Sequence, residues 1–232
     1  MAQQSYGQFC PVAMAAEILC TRWTIVLLRE LVAGSKRFNE LRRGVPRMSP
    51  ALLSQRLKEL EAADILRRAP CPHEPGVFEY QLTQAGRELE PLVEAFGRWG
   101  QRWVRSELSL EQLDATLLMW DMRRNLVPEP MPRRRSTIQF RFAEQPAKNR
   151  SFWLIVTPGE PVELCSVDPG FDVDLYVSTD LRTMTAIWMG YETVREASAA
   201  GRLHLTGDRT LADEVQTWLG LSPFAGDARM VA

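Results

Sequence analysis

The sequence has few of the residues on which enzyme sites and disulfide frameworks depend. Its 232 residues include two histidines and four cysteines, and the cysteines are too scattered for a zinc site or a disulfide framework. No apolar run approaches the roughly 18 residues that a membrane span requires. The N-terminus lacks the basic start and apolar stretch of a signal peptide. We therefore expect a cytoplasmic protein in a reducing compartment.

Groupings of catalytic residues are equally sparse. His73 lies in a segment rich in proline and glycine, and His204 alternates with leucines in a strand pattern, so neither is expected beside a nucleophile. Asp172 and Asp174 could form a paired-carboxylate site, although a solvated strand edge is the favoured interpretation. No glycine-rich phosphate loop is present. The sequence predicts a protein that is not an enzyme and that needs no cofactor or metal.

A net charge of −1 conceals an uneven distribution. Residues 1–106 carry a net charge of +4 and the remainder −5. Within residues 36–68 there are nine basic residues and four acidic ones. A basic half joined to an acidic half favours a polyanion-binding module beside a second domain. Because a solvated helix face can carry the same residues, composition alone leaves DNA binding open.

The first half follows the element order of a winged helix-turn-helix. The predicted elements are a helix from Pro11, a helix from Thr21, helices over 36–43 and 50–62, strands over 65–68 and 78–82, and one long helix over Thr83–Arg105. Ser49 supplies a capping hydroxyl and Pro50 a first-turn proline for the 50–62 helix. In this arrangement that helix enters the major groove, so its exposed positions should be small or polar.

These positions give a candidate DNA-binding surface. The residues expected to meet base edges or nearby phosphates are Ser49, Ala51, Ser54, Gln55 and Lys58. The residues expected to contact the phosphate backbone are Lys36, Arg37, Arg47, Arg67 and Arg68.

Several of these segments together resemble a known family. They are Phe9–Val12, Arg22–Thr24, Arg37–Leu41, Ser49–Glu61 and Phe78–Gly86, and in this order they resemble the HxlR-type winged-helix regulators over nearly all of residues 8–105. The resemblance implies a homodimer that binds double-stranded DNA, with residues 50–62 as the recognition helix and with the first helix and the Thr83–Arg105 helix pairing the subunits. Repression is the commoner activity in the family. Ala51 and Val77 stand where family members often carry basic residues, which weakens the expected DNA contacts.

Cys10 is a candidate redox sensor. It directly precedes the first predicted helix, where the helix dipole favours a thiolate. Members of the HxlR-type family commonly have a cysteine at this place, and some use it to sense oxidants or electrophiles. The alternative interpretation is a small residue packed near the dimer interface.

The pattern of the second half predicts an α+β domain. We place the domains at 1–108 and 109–232, with Ser109–Gln112 resembling a capping box at the start of a helix. The predicted strands are Thr137–Phe142, Phe152–Val156, Val162–Val167, Phe171–Val177 and Leu203–Thr206, with helices around 180–200 and a last helix near 208–220.

Part of this half resembles the sterol carrier protein family. The resemblance lies in Phe171–Val177, Trp188–Gly190, Ala197 and Ala200–Asp208. It implies a five-stranded sheet with helices around an apolar tunnel for lipids or acyl chains. The candidate pocket residues are Trp120, Trp153, Tyr176, Trp188 and Met189, for each of which plain core packing is the alternative.

Together these patterns predict a DNA-binding regulator, expected to be a repressor, whose operator affinity responds to a hydrophobic small molecule. The alternative is a lipid-binding or protein-interaction module that uses the winged helix as a dimerisation scaffold.

Overall fold

The chain divides into two compact units, Met1–Gly97 and Arg98–Ala232. The structure, a computed structural model, describes residues 5–72, 74–105 and 113–231. The predicted domain boundary after residue 108 and the predicted capping box at Ser109–Gln112 lie outside the described residues, as does His73.

The first unit contains the helices and the hairpin of a winged helix-turn-helix. Its elements are α1 (Pro11–Leu19), α2 (Thr24–Val32), α3 (Phe38–Gly44), α4 (Pro50–Ala62), β1 (Leu66–Pro70), β2 (Phe78–Leu82), α5 (Gln84–Arg87) and α6 (Glu90–Trp103), the last of which crosses into the second unit. The two strands pair antiparallel. As predicted, Ser49 caps α4, because its Oγ accepts a hydrogen bond from the Leu52 N–H at 3.2 Å.

The core of this unit fixes the orientation of α4. Leu53, Leu57 and Leu60 are at most 2% exposed and pack in one cluster with Leu27 and Leu28 of α2. Residues spaced by three and four lie on one side of a helix. The opposite side of α4 is therefore turned away from this core.

The single long helix predicted over Thr83–Arg105 is wrong, because the structure has two helices in its place. α5 ends at Arg87 and α6 begins at Glu90. Pro91 has no N–H to donate to the Arg87 carbonyl four residues earlier, and its ring crowds that carbonyl. The chain therefore turns before α6 starts.

The second unit contains a five-stranded sheet with helices. Its further elements are α7 (Ala115–Asn125), β3 (Ser136–Phe142), β4 (Ser151–Val156), β5 (Glu163–Cys165), β6 (Leu175–Thr179), α8 (Leu181–Trp188), α9 (Val194–Ala199), β7 (Leu203–Gly207), α10 (Arg209–Asp213) and α11 (Val215–Trp218). The strand order is β5-β4-β3-β6-β7, in which β3 and β6 are parallel and the other neighbours antiparallel.

Several element boundaries differ from the prediction. α7 begins at Ala115, where the Asp114 carboxylate accepts from the Leu117 N–H at 3.0 Å. β6 begins four residues later than predicted, after a bend at Asp174, whose carboxylate accepts from the Thr137 N–H and pairs with Arg134. The predicted last helix is divided at Glu214 into α10 and α11.

The core of the second unit lies on one face of its sheet. Alternate residues of β3 and β4, such as Phe140, Phe142 and Phe152, are buried in one cluster with apolar residues of the helices. The intervening residues point to the opposite face.

Among the described residues, no single helix is long and apolar enough to cross a membrane. Only together are α1 and α2 long and apolar enough, and they are bent by 82° at the short break between them.

Candidate nucleic-acid interface

The outward side of α4 forms a groove of small and polar side chains. Four of the residues predicted to read bases lie together here, and the groove of about 370 Å³ is lined by Ala51, Ser54, Gln55, Lys58, Glu59 and Ala62. Ser49, the fifth predicted base-reading residue, lies at the N-terminus of the same helix, where its hydroxyl serves as the cap. The structure thus places these five residues on one helix, with small side chains that would allow a duplex to approach.

Hydrogen bonds order the C-terminal part of this groove. Gln55 Nε2 donates to Glu59 Oε1 at 2.9 Å, and Arg56 forms an ion pair with the same carboxylate. Burial acts to raise the pKa of Glu59, but the hydrogen bonds from Gln55 and Arg56 outweigh it, so the pKa lies below its ordinary value. Gln55 keeps its carbonyl oxygen and one N–H for a base edge.

The predicted phosphate-contacting residues at the edges of this surface are mostly exposed. Lys36, Arg47, Arg67 and Arg68 are all exposed. Arg67 donates to Gln81 Oε1 at 3.0 Å from Nη2, and the Arg68 guanidinium lies 3.9 Å from the centroid of the Phe78 ring. Neighbours in the hairpin therefore orient both wing guanidiniums.

Arg37 differs from the other predicted phosphate contacts because its guanidinium faces carboxylates. Its Nη2 lies 2.5 Å from Glu74 Oε1 in the hairpin tip and its Nε lies 3.9 Å from Glu79 Oε1. The hydrogen bond to Glu74 raises the pKa of Arg37 above its ordinary value. Sequence reasoning missed Glu74, since no local pattern shows which way the hairpin tip folds.

α1 and α6 present an apolar surface to solvent. No side chain of α1 is buried, and Phe9 and Val12 are 98% and 76% exposed. On α6, Leu92 and Phe96 are exposed, and the exposed Trp99 continues the same stripe one turn further along the helix. Cys10 is half-buried and directly precedes α1, as predicted from its position before Pro11.

The five predicted ligand-pocket residues do not all lie in one place. Trp188 belongs to the core on one sheet face and Met189 packs against that core. Trp153 and Tyr176 flank Gln139 in neighbouring strands, and they are on the opposite face because side chains alternate along a strand. Trp120 is a buried residue of α7 with the Arg123 guanidinium 4.0 Å from its ring centroid. The sheet therefore separates Trp153 and Tyr176 from Trp188 and Met189. The five residues do not line a single pocket.

Comparison with known proteins identifies the family to which this chain is similar. Residues 18–108 match the model of the HxlR-like helix-turn-helix family. The chain is 36% identical over 99 residues to YvaP of Bacillus subtilis, an uncharacterized HTH-type transcriptional regulator, covering 42% of this chain and 92% of that one. It is 33% identical over 138 residues to Mb3122 of Mycobacterium bovis, which has the same description, covering 52% of this chain and 85% of that one. Among solved structures, the redox regulator HypR in its reduced form is 37% identical, covering 40% of this chain and 91% of that one, with a TM-score of 0.37. The chain belongs to the HxlR-like helix-turn-helix family, and the relatives to which it is similar are described as transcriptional regulators.

Proposed function

We propose that this protein regulates transcription by binding duplex DNA as a homodimer, with α4 of each protomer in the major groove. The observation that carries this proposal is the outward face of α4, where Ala51, Ser54, Gln55 and Lys58 line one groove. Small and polar side chains of this kind can approach base edges, and the exposed Lys36, Arg47, Arg67 and Arg68 supply phosphate contacts.

The homodimer is supported by the apolar surface of α1 and α6. An isolated helix of nine residues is unstable in water, and α1 buries none of its side chains within the described chain. Exposed apolar side chains along one face of a helix, such as Leu92, Phe96 and Trp99 of α6, commonly mark an interaction surface. A second copy of the chain would cover them and add to the contact that Leu19 of α1 makes with the core of the first unit.

A selection of duplexes from a random-sequence pool tests the DNA-binding proposal. A twofold dimer that inserts two recognition helices requires two half-sites about one helical turn, roughly 34 Å, apart. We expect an inverted repeat with that spacing to be enriched over successive rounds. A pool that remains random after binding and elution would contradict the proposal and would favour the role of a dimerisation scaffold.

The second unit is proposed to sense a hydrophobic small molecule and to transmit its presence through α6. The last residues of α6 are bonded within that unit: Gln101 Nε2 donates to the Met189 carbonyl at 3.3 Å, and the Tyr191 hydroxyl donates to Gln101 Oε1 at 3.2 Å. Gln101 is 5% exposed, so a shift of the loop after α8 would displace it. A ligand changes operator affinity in this way only if it binds the two arrangements with different affinity.

A further inference from the structure

The tip of the hairpin between β1 and β2 carries a carboxylate where a DNA-binding wing would be expected to carry a cation. Glu74 lies in this tip with half of its side chain exposed. A carboxylate that faces a phosphate backbone is repelled by it. Glu74 must therefore be neutralised or moved when the wing approaches a duplex.

Arg37 neutralises Glu74 in the free protein. Both terminal nitrogens of the guanidinium contact the carboxylate, Nη2 at 2.5 Å from Oε1 and Nη1 at 3.2 Å from Oε2. Nη2 also lies 3.7 Å from Cys71 Sγ at the start of the tip. This fork-to-carboxylate geometry is the one in which arginine also binds a phosphate group.

The backbone keeps Arg37 next to the wing whether or not this ion pair forms. The Tyr80 N–H in β2 donates to the Lys36 carbonyl at 2.7 Å, and the Arg37 N–H donates to Glu40 Oε2 at 3.0 Å. The segment before α3 is therefore attached to the hairpin and to the helix by main-chain donors. Loss of either charged side chain leaves these contacts in place.

We propose that Glu74 sets the DNA affinity of the wing by competing with DNA phosphate for Arg37. This inference rests on the proposed DNA binding. In the free protein the Glu74 carboxylate is bound to the Arg37 guanidinium. On a duplex, a DNA phosphate binds Arg37 in place of the carboxylate. Exchange is easy because the Arg37 and Glu74 side chains are 37% and 50% exposed, and exposed ion pairs contribute little to stability.

The competition predicts a gain of affinity on removal of the carboxylate. Glu74→Gln should tighten binding to a duplex by roughly three- to tenfold at low salt, since it removes one repulsive charge and the closer of the two carboxylates that face Arg37. Because Arg37 contacts a phosphate in both bound proteins, the slope of log K against log salt should be about the same for Glu74→Gln and the wild type. Arg37→Gln should weaken binding and lower that slope by about 0.9, the increment for one phosphate contact.

A double-mutant cycle in a fluorescence anisotropy titration at several salt concentrations tests the proposal. The proteins are the wild type, Glu74→Gln, Arg37→Gln and the double variant, with Glu90→Gln as a matched loss of one exposed carboxylate outside the helix-turn-helix and wing. We expect the gain from Glu74→Gln to be largely lost in the Arg37→Gln background. Equal thermal midpoints would show that all five proteins fold alike.

The inference is overturned if Glu74→Gln leaves the DNA affinity unchanged, if its gain is the same in the Arg37→Gln background, or if Glu90→Gln produces an equal gain. The last two results would mean that only net charge matters. A wild-type protein that binds no duplex would instead contradict the proposed function itself, so the two failures are distinguishable.

Discussion

Gly44 ends α3 against the carboxylate of a fully buried glutamate. Glu30 accepts from the Ser35 hydroxyl at 3.2 Å and pairs with Arg29 at 2.6 Å, and its side chain is 0% exposed. A Cβ atom on Gly44 would lie 1.9 Å from both Cδ and Oε2 of Glu30. Glycine is therefore required at this position because only a hydrogen atom fits beside Glu30. The backbone conformation does not require it.

We expect Gly44→Ala to lower the free energy of unfolding by about 1–3 kcal/mol, the usual range for overpacking. Gly100→Ala is the matched control, because it also lies in a helix but a Cβ there meets no atom within 4 Å. That change should be neutral or stabilising by up to about 1 kcal/mol. Urea unfolding of both variants measures the difference, and equal effects would contradict the packing described for Glu30.

Cys10 gives a second prediction for a single residue. If this thiol senses oxidants, hydrogen peroxide should reduce the DNA affinity of the wild type and of Cys20→Ser, but not that of Cys10→Ser. Cys20 is the control because it is an exposed cysteine directly after the same helix. Anisotropy titrations before and after oxidation, with reversal by a thiol reductant, provide the measurement. A response that persists in Cys10→Ser would eliminate the redox role.

For single residues, the sequence could predict only those contacts that are made with residues nearby in the chain. The capping hydroxyl of Ser49 and the shared face of Ser54 and Lys58 follow from helical geometry alone. The contact of Gly44 with Glu30 and the pairing of Arg37 with Glu74 join segments distant in the chain. Such pairs depend on tertiary packing, which no local pattern encodes.

Among the elements, α6 carries the clearest prediction. Phe96 is 58% exposed on its apolar stripe, so Phe96→Asp would place a charge in the proposed dimer interface. We expect this variant to change from twice the chain mass of 26.4 kDa to the monomer mass in size-exclusion chromatography with light scattering.

Val167→Asp is the control for that experiment, because it introduces the same charge at an apolar residue that is 76% exposed between β5 and β6. It should leave the mass unchanged. A wild type that is already monomeric, or a Phe96→Asp protein that remains dimeric, would remove α6 from the proposed interface.

Sequence patterns located most elements but misplaced several ends. The bounds of α4 agree with the prediction, since Ser49 and Pro50 define its start and the leucine spacing defines its length. Two errors have identifiable physical causes: Pro91 interrupts the predicted long helix, and the chain bends at Asp174, whose carboxylate is bonded to the distant Arg134 and Thr137 N–H. Hydrophobic alternation alone detects neither effect.

For the whole molecule, the connection between the sensor unit and α6 can be tested at Tyr191. Tyr191→Phe removes the hydroxyl that donates to Gln101 but keeps the ring over which Arg229 lies, 4.7 Å from its centroid. If a long-chain fatty acid alters DNA affinity in the wild type, we expect that change to fall by at least half in Tyr191→Phe, with DNA affinity in the absence of fatty acid unchanged.

Binding of the fatty acid to each protein, measured by isothermal titration calorimetry, is the control for that experiment. Unaltered fatty-acid binding with a reduced DNA response would support transmission through Gln101. A full response in Tyr191→Phe would exclude this hydrogen bond from the route.

At this scale the sequence established the order of a winged helix-turn-helix followed by an α+β unit. It could not establish where the aromatic residues of the second half would gather. Trp153 and Trp188 lie on different faces of one sheet, and this depends on strand register and helix packing rather than on composition.

The most direct test of the central claim is an anisotropy titration of the wild type on DNA from upstream of its own gene, against a random duplex of equal length. Several salt concentrations separate phosphate attraction from base recognition. Sequence-specific regulation predicts binding to the upstream DNA that is tighter by roughly a thousandfold or more. Weak, steeply salt-dependent and equal binding to both duplexes would contradict it.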